Sequence, residues 1–260
     1  MSSLSNAVSI LRLFSRERPE LTATDASRLL SMPKSSAHRL MKKMLDEGLL
    51  ATVGETARYR VGHLAFELSR IYVRRSTLLD LADGELAAIC RGSGHTGYIS
   101  ILEGADIVVV RVHLGSQTLR VVTPLGTRGS AFETANGRTL LARLDDAKVR
   151  ALHPTILQPR SASSPQDLDE LVAALHAVRR TGSCEAIDEG VPGVGSVAVS
   201  VADSESSEVL AFCVSFPAHV VGKTERKALG DQLIESAKRI AKQTDDAFWN
   251  GRPLPRVVAA

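Results

Sequence analysis

The tripeptide Ser31-Met32-Pro33 separates two short stretches of helical periodicity. Proline cannot continue a helix, because it lacks an amide hydrogen and its ring clashes with the preceding turn. The chain must therefore turn there, with Pro33 near the first position of the next helix. Before the turn, Thr22 stands as an N-cap with Asp25 three residues on, a form of capping box, and Ala26, Leu29 and Leu30 supply an apolar stripe. After it, a helix is expected from Lys34 to Glu47, with Ala37, Leu40, Met41, Met44 and Leu45 on one face. Gly48 stops that helix. An earlier helix, Asn6 to Ser15, carries Ala7, Ile10, Leu11 and Phe14 at helical spacing and ends at Arg18-Pro19-Glu20. Leu49 to Val53 then reads as a strand, Gly54 to Ala57 as a turn, and Arg58 to Val61 as the returning strand, with Tyr59 and Val61 directed inward. Three short helices and a hairpin in this order make the winged helix-turn-helix pattern.

Charge follows the same division. Residues 1–75 carry 13 Lys/Arg against 7 Asp/Glu, while the remainder carries 19 against 22. Positive charge gathered in one small N-terminal segment is the footprint of a nucleic-acid binder, although a solvated basic face would give the same count. On the third helix, Lys34, Ser35, Ser36, His38, Arg39, Lys42 and Lys43 fall on or near the polar side. Arginine can bond guanine in two places, lysine more often meets phosphate, and short side chains let a helix approach the groove. Arg58 and Arg60 alternate on one strand of the wing, where an arginine suits the minor groove.

Leu64, Leu68, Ile71 and Tyr72 mark a further helix, read as a connector too regular to be a flexible tether. The texture then changes. Helices are expected over residues 79–91, 136–144 and 168–180, and a long closing helix over Lys223 to Trp249. Strands are expected over Thr96 to Leu102, Ile107 to His113, Leu119 to Thr123, Ser196 to Val201 and Val209 to Phe216. The expected class is α+β, with boundaries of 1–62 for the winged head, 63–77 for the connecting helix, 78–250 for a second α/β domain and 251–260 for a loose tail.

The 260 residues, 44% apolar and 23% charged, suit a globular protein of two domains. No apolar stretch is long enough to cross a bilayer, and the N-terminus lacks a secretory pattern. Cys90, Cys184 and Cys213 are odd in number and far apart, so reduced thiols in a cytoplasm are expected. They have no zinc spacing, no His/Cys pair sits on one element, and no catalytic signature flanks a cysteine. The glycines at 190, 193 and 195 do not open a helix after a strand, so they make no dinucleotide loop. No catalytic residue, metal or cofactor is therefore expected. A thiol-dependent enzyme, or a small-molecule binder without DNA binding, remains the alternative.

Four stretches in order, Pro33 to Leu40, Arg58 to Gly62, Thr134 to Arg138, and Asp188-Glu189 followed by Gly193-Val194, resemble the IclR family of transcription regulators. The resemblance covers most of the chain. It implies a GAF-like C-terminal domain that binds a small organic effector, often a carboxylate. It also implies a homodimer or homotetramer on a palindromic double-stranded operator. The effector positions it points to are Ala135, Asn136, Val194, Ser196, Cys213 and Ser215. Departures are Ser31 where the turn often has glycine, Ser196 where many members have cysteine, Ala186 where some have an acid, and Asn136 where a small residue is usual. Cys213 and Ser215, two apart on one strand, share a face. Arg111, His113 and Arg120 are further candidate partners for an anion, with surface pairing the blander reading for Arg120.

Overall fold

The computed structural model describes residues 2–15, 17–74, 77–153 and 157–251. The chain divides into two compact units, residues 1–75 and 76–260. The expected tail over 252–260, and the junction at 75–76, lie outside the described residues.

The first unit holds α1 (Ser3–Leu11), β1 (Leu21–Thr22), α2 (Ala23–Leu29), α3 (Lys34–Asp46), β2 (Leu50–Thr52), β3 (Arg58–Val61) and α4 (His63–Arg74). Thr22 and Asp25 form the reciprocal capping box, hydroxyl to amide and carboxylate to amide. Ser31 has φ of 50°, so the turn demands the left-handed conformation that glycine adopts most freely, and serine bears the strain. The core gathers Ile10, Leu21, Ala26, Ala37, Met41, Met44 and Leu50. Three antiparallel strands in the order β1-β3-β2 form the wing. Leu21-Thr22 forms a short strand as well, where the sequence signals only the Thr22 N-cap of α2. Val61 does not face inward. It is 42% exposed, because it sits at the end of β3, past the core that Tyr59 packs against.

The second unit runs α5 (Thr77–Ser93), β4 (Thr96–Glu103), β5 (Asp106–His113), β6 (Arg128–Ser130), a 3-10 turn (Ala131–Glu133), α6 (Ala135–Leu141), α7 (Asp146–Leu152), α8 (Leu168–Thr181), β7 (Ser183–Ile187), β8 (Val194–Ala202), β9 (Val209–Pro217) and α9 (Lys223–Thr244). Its six strands are antiparallel in the order β6-β5-β4-β9-β8-β7. Both faces are covered, so β9 is buried along nearly its whole length. One face carries Val197, Val199, Leu210, Phe212, Val214 and Phe216 against Leu86 of α5 and Leu233, Ala237 and Ile240 of α9. The other carries Ala198, Ala211 and Cys213 beneath Leu140 and Leu141 of α6 and Leu171 and Leu175 of α8.

Three expectations change here. Leu119 to Thr123 is not a strand. The stretch from 114 to 127 is irregular, and β6 pairs with β5 instead. β7 and α7 appear where no element was expected. The closing helix ends at Thr244 rather than Trp249, because Asp245 is left-handed and Asp246 turns inward. There Asp246 accepts two bonds from Arg143, at 2.9 and 2.8 Å, while Arg143 also donates to the hydroxyl and carbonyl of Ser200. The guanidinium lies over the Phe248 ring at 4.8 Å.

Removing one partner of such a buried pair leaves an uncompensated charge, at a cost of about 3–5 kcal/mol. Arg143→Ala should therefore lower the urea midpoint of the second unit steeply. The double change Arg143→Met with Asp246→Leu should recover most of the loss. A midpoint unchanged in Arg143→Ala would refute the account.

Candidate functional site

The first unit presents one polar helix face. Lys34, Ser35, His38, Arg39, Lys42 and Lys43 are exposed on α3, and Ser36 is half-buried. Ala37, Met41 and Met44 are buried beneath them, so core packing fixes which side turns outward. Pro33 caps α3 without a side-chain hydrogen bond. Arg58 and Arg60 are exposed on β3. Arg58 reaches Glu20 at 3.8 Å, whereas Lys34, Arg39, Lys42, Lys43 and Arg60 make no ion pair among the described residues. A groove between α1 and α3 is lined by Ser3, Asn6, Met32, Ser36, Arg39, Leu40 and Lys43.

The second unit holds a cavity of about 310 Å³ between α6 and the sheet, and Ala135, Asn136, Val194, Ser196, Cys213 and Ser215 all line it. Its origin is local. On β9, large side chains (Phe212, Val214, Phe216) turn to the α5 and α9 side and small ones (Ala211, Cys213, Ser215) to the other. The Ser196 and Ser215 hydroxyls lie 2.7 Å apart, and Cys213 Sγ is 3.8 Å from Ser215 Oγ. Asn136 donates through Nδ2 to Ser100 Oγ at 2.9 Å, and its buried Oδ1 has no partner. Thr134 caps α6 by accepting from the Gly137 amide, so the helix starts at Ala135, one residue earlier than expected. Tyr98 closes another wall. Its hydroxyl donates to the Val121 carbonyl at 3.0 Å and accepts from the Thr123 amide at 2.8 Å.

Arg111, His113 and Arg120 do not line this cavity. His113 and Arg111 converge on Asp83, at 3.0 and 3.8 Å, and Arg120 reaches the Gly115 carbonyl. Cations two apart on a strand found an acid on α5 instead. The charged groups that do line the cavity are Arg128, Glu133, Arg160 and Glu189, which sequence reasoning missed as site residues. Glu189 is held by Arg138 in a buried two-point ion pair at 2.5 and 2.8 Å. Glu133 accepts from the Arg160 amide at 2.6 Å. Arg128 is engaged by Glu103 and Asp106. The one available signal was the Asp188-Glu189 stretch, whose chemical role spacing alone does not reveal.

The thiols are quiescent. Burial pushes Cys213 up to about 12 and Cys90 up to about 11, and it raises Cys184 as well, despite Arg138 Nε donating to Cys184 Sγ at 3.2 Å. Each stays protonated at neutral pH, where a thiol is a poor nucleophile. Among the described residues, no cluster of His, Cys, Asp and Glu could hold a metal ion, and no helix is long and apolar enough to cross a membrane.

Two family models match the chain. The IclR helix-turn-helix domain covers residues 3–54, and the bacterial transcriptional regulator IclR C-terminal domain covers residues 70–242. The HTH-type transcriptional regulator XynR of Escherichia coli is 28% identical over 246 residues, spanning 93% of this chain and 96% of that protein. The crystal structure of an IclR transcriptional regulator from Alicyclobacillus acidocaldarius superposes with a TM-score of 0.81 at 21% identity, covering 93% of this chain and 98% of the other. An IclR homologue from Microbacterium hydrocarbonoxydans, solved in complex with 4-hydroxybenzoate, gives 0.78 at 20% identity over 94% and 99%. With a helix-turn-helix head and an α/β domain built around a lined cavity, this chain belongs to the IclR family of transcriptional regulators.

Proposed function

We propose that the chain binds a palindromic operator as a homodimer or homotetramer in the cytoplasm, and that a small organic acid in the second unit's cavity modulates that binding. Residues 1–62 would be the DNA-binding head, 63–77 the connecting helix and 78–250 the sensing and oligomerisation domain. The observation that carries the reading is the exposed α3 face: Arg39, Lys42 and Lys43 have no counter-charge among the described residues, and Arg58 and Arg60 are exposed on the wing of the same unit. Unpaired cations on a helix that projects from a rigid core can enter a major groove and displace counterions without first breaking ion pairs. Lys34, Ser35, Ser36 and His38 would supply phosphate and base-edge contacts around Arg39.

For the effector, the support is a cavity that meets the needs of a small ligand, with apolar walls and a few convergent hydroxyls from Ser196 and Ser215. Asn136, Cys213, Ala135 and Val194 complete its lining. The 4-hydroxybenzoate bound by the Microbacterium homologue is an acid of suitable size. The effector would act by population shift, binding one arrangement of the regulator better than another. The protonated, buried thiols weigh against a thiol-dependent enzyme.

Three outcomes are expected. Arg39→Ala should weaken operator binding by about 1–3 kcal/mol in a gel-shift titration at fixed salt, and unchanged affinity would sink the base-contact role. Log affinity should fall with log salt at a slope of about 0.9 per phosphate contact, so a nearly flat dependence would oppose a phosphate-anchored head. Ser215→Ala should leave folding and operator affinity intact while blunting effector-dependent release or retention of DNA. A variant that folds and responds as the parent does would move the effector site elsewhere.

A further inference from the structure

The two wing arginines share one strand face and differ in what surrounds them. Arg58 and Arg60 stand two apart on β3, so both turn to the same side, while Tyr59 between them packs against the core. Arg60, paired across the ladder with Ala51 of β2, has no acid beside it among the described residues. Arg58 has acids close by. The short strand β1 pairs Thr22 with Arg58, which brings the residues around β1 up to the guanidinium. Glu20, just before β1, places a carboxylate oxygen 3.8 Å from Arg58 Nη1, with the two side chains 37% and 55% exposed. Asp25, in the first turn of α2, also feels Arg58. Its carboxyl is held below the ordinary value first by bonds from the Thr22 hydroxyl and amide, and then by the charges of Arg28 and Arg58. Asp25 is already spent on Thr22, at 2.7 and 3.0 Å. Glu20, by contrast, pairs with Arg58 alone among the described residues.

At 3.8 Å, partly open to water, this pair is held by charge and not by a hydrogen bond. Exposed pairs of this kind shift an equilibrium by up to about 5-fold, enough to handicap one phosphate contact without forbidding it. Resting on the first unit as the DNA-binding head, we infer that Glu20 is a counter-charge built into the wing, which competes with DNA phosphate for Arg58 and leaves Arg60 as the wing's phosphate anchor. Glu20 is then a positioning residue for DNA binding. Phosphate contacts strengthen binding to every sequence alike, so holding one of them back lowers the head's grip on arbitrary DNA.

The test titrates the full-length chain against a short labelled duplex of arbitrary sequence, by fluorescence anisotropy over a range of salt. Arg60→Gln should lower the slope of log affinity against log salt by about 0.9 per head, whereas Arg58→Gln should change it little. Glu20→Gln should tighten binding by up to about 5-fold and steepen the slope, and both gains should vanish in Glu20→Gln/Arg58→Gln. A gain from Glu20→Gln that survives the loss of Arg58 overturns the inference, since the acid would then act only as a distant negative charge. So does a Glu20→Gln affinity equal to the parent's, or a slope that Arg58→Gln and Arg60→Gln flatten equally. In those three cases the parent still binds duplex, and the DNA-binding head stands. A parent that binds no duplex even at low salt rejects the head and the inference together. Thermal unfolding separates positioning from structure: Glu20→Gln should melt with the parent, and a midpoint well below it would make the pair structural and overturn the competing role.

Discussion

A helix buried on every side must bring its own counter-charges into the interior. Every residue of α6 from Ala135 to Leu141 is buried, among them Asn136, Arg138 and Thr139. Its close seating is enforced at Gly137, where a Cβ would fall 2.1 Å from the Ala131 carbonyl oxygen. With that spacing fixed, the polar groups have few solutions. Arg138 takes Glu189 and the Glu185 carbonyl, Thr139 bonds back to the Asn136 carbonyl, and Arg143, just past the helix, takes Asp246 and Ser200. These bonds tie α6 to β7, to the turn before β8, to β8 itself and to the end of α9. The second unit is thus built around a polar helix whose partners come from distant parts of the chain, and which tolerates the loss of a partner poorly.

The cavity is the consequence of a size difference carried by strand alternation. Successive residues of a strand point to opposite faces. On β8 and β9 the α5 and α9 face receives Val197, Val199, Phe212, Val214 and Phe216, and the α6 face receives Ser196, Ala198, Ala211, Cys213 and Ser215. The same strands therefore close one core and leave room in the other. Gly97 shows the packing on the closed side, where a Cβ would come within 2.5 Å of Cys90 Sγ.

What the sequence made legible follows from the range of the interactions. The head was readable because its signals are local: a capping box, a proline turn, and apolar spacing that leaves Arg39 and Lys43 outside. Serine at position 31 departs from the pattern of the resemblance, and its φ of 50° is a conformation that glycine adopts more freely. In the second unit, alternation placed Cys213 and Ser215 on one face, and the family resemblance supplied Ala135, Asn136, Val194 and Ser196. Long-range pairings were not readable. Nothing local says that Asp246 ends α9 in order to meet Arg143, 103 residues away, or that Glu189 belongs to Arg138. Arg111 and His113 looked available for a ligand only because Asp83, on α5, is invisible to strand periodicity. The irregular stretch 114–127 misled in the same way: Val121 and Val122 suggest a strand, yet their segment is fixed by a tyrosine hydroxyl rather than by a ladder.

That wall bears on how a ligand could act at all. A ligand that binds two arrangements equally shifts nothing, however tightly it binds. Differential affinity requires that some lining group change position between arrangements. The floor on β4, β8 and β9 is held by sheet hydrogen bonds on both sides, and α6 is pinned by ion pairs. Val121, Val122 and Thr123 are held to β4 by two bonds through one phenol, in a segment without ladder or helix bonds of its own. A bond between neutral groups contributes a net of about 0.5–1.5 kcal/mol, so this wall is less costly to rearrange than the sheet floor or α6. An effector seated between the fixed floor and this wall can prefer one wall position over another. For the effector site proposed above, the free energy available for regulation would be set by how far the ligand's contacts with Val121 to Thr123 differ between the two positions, and not by how tightly the sheet side of the cavity holds it.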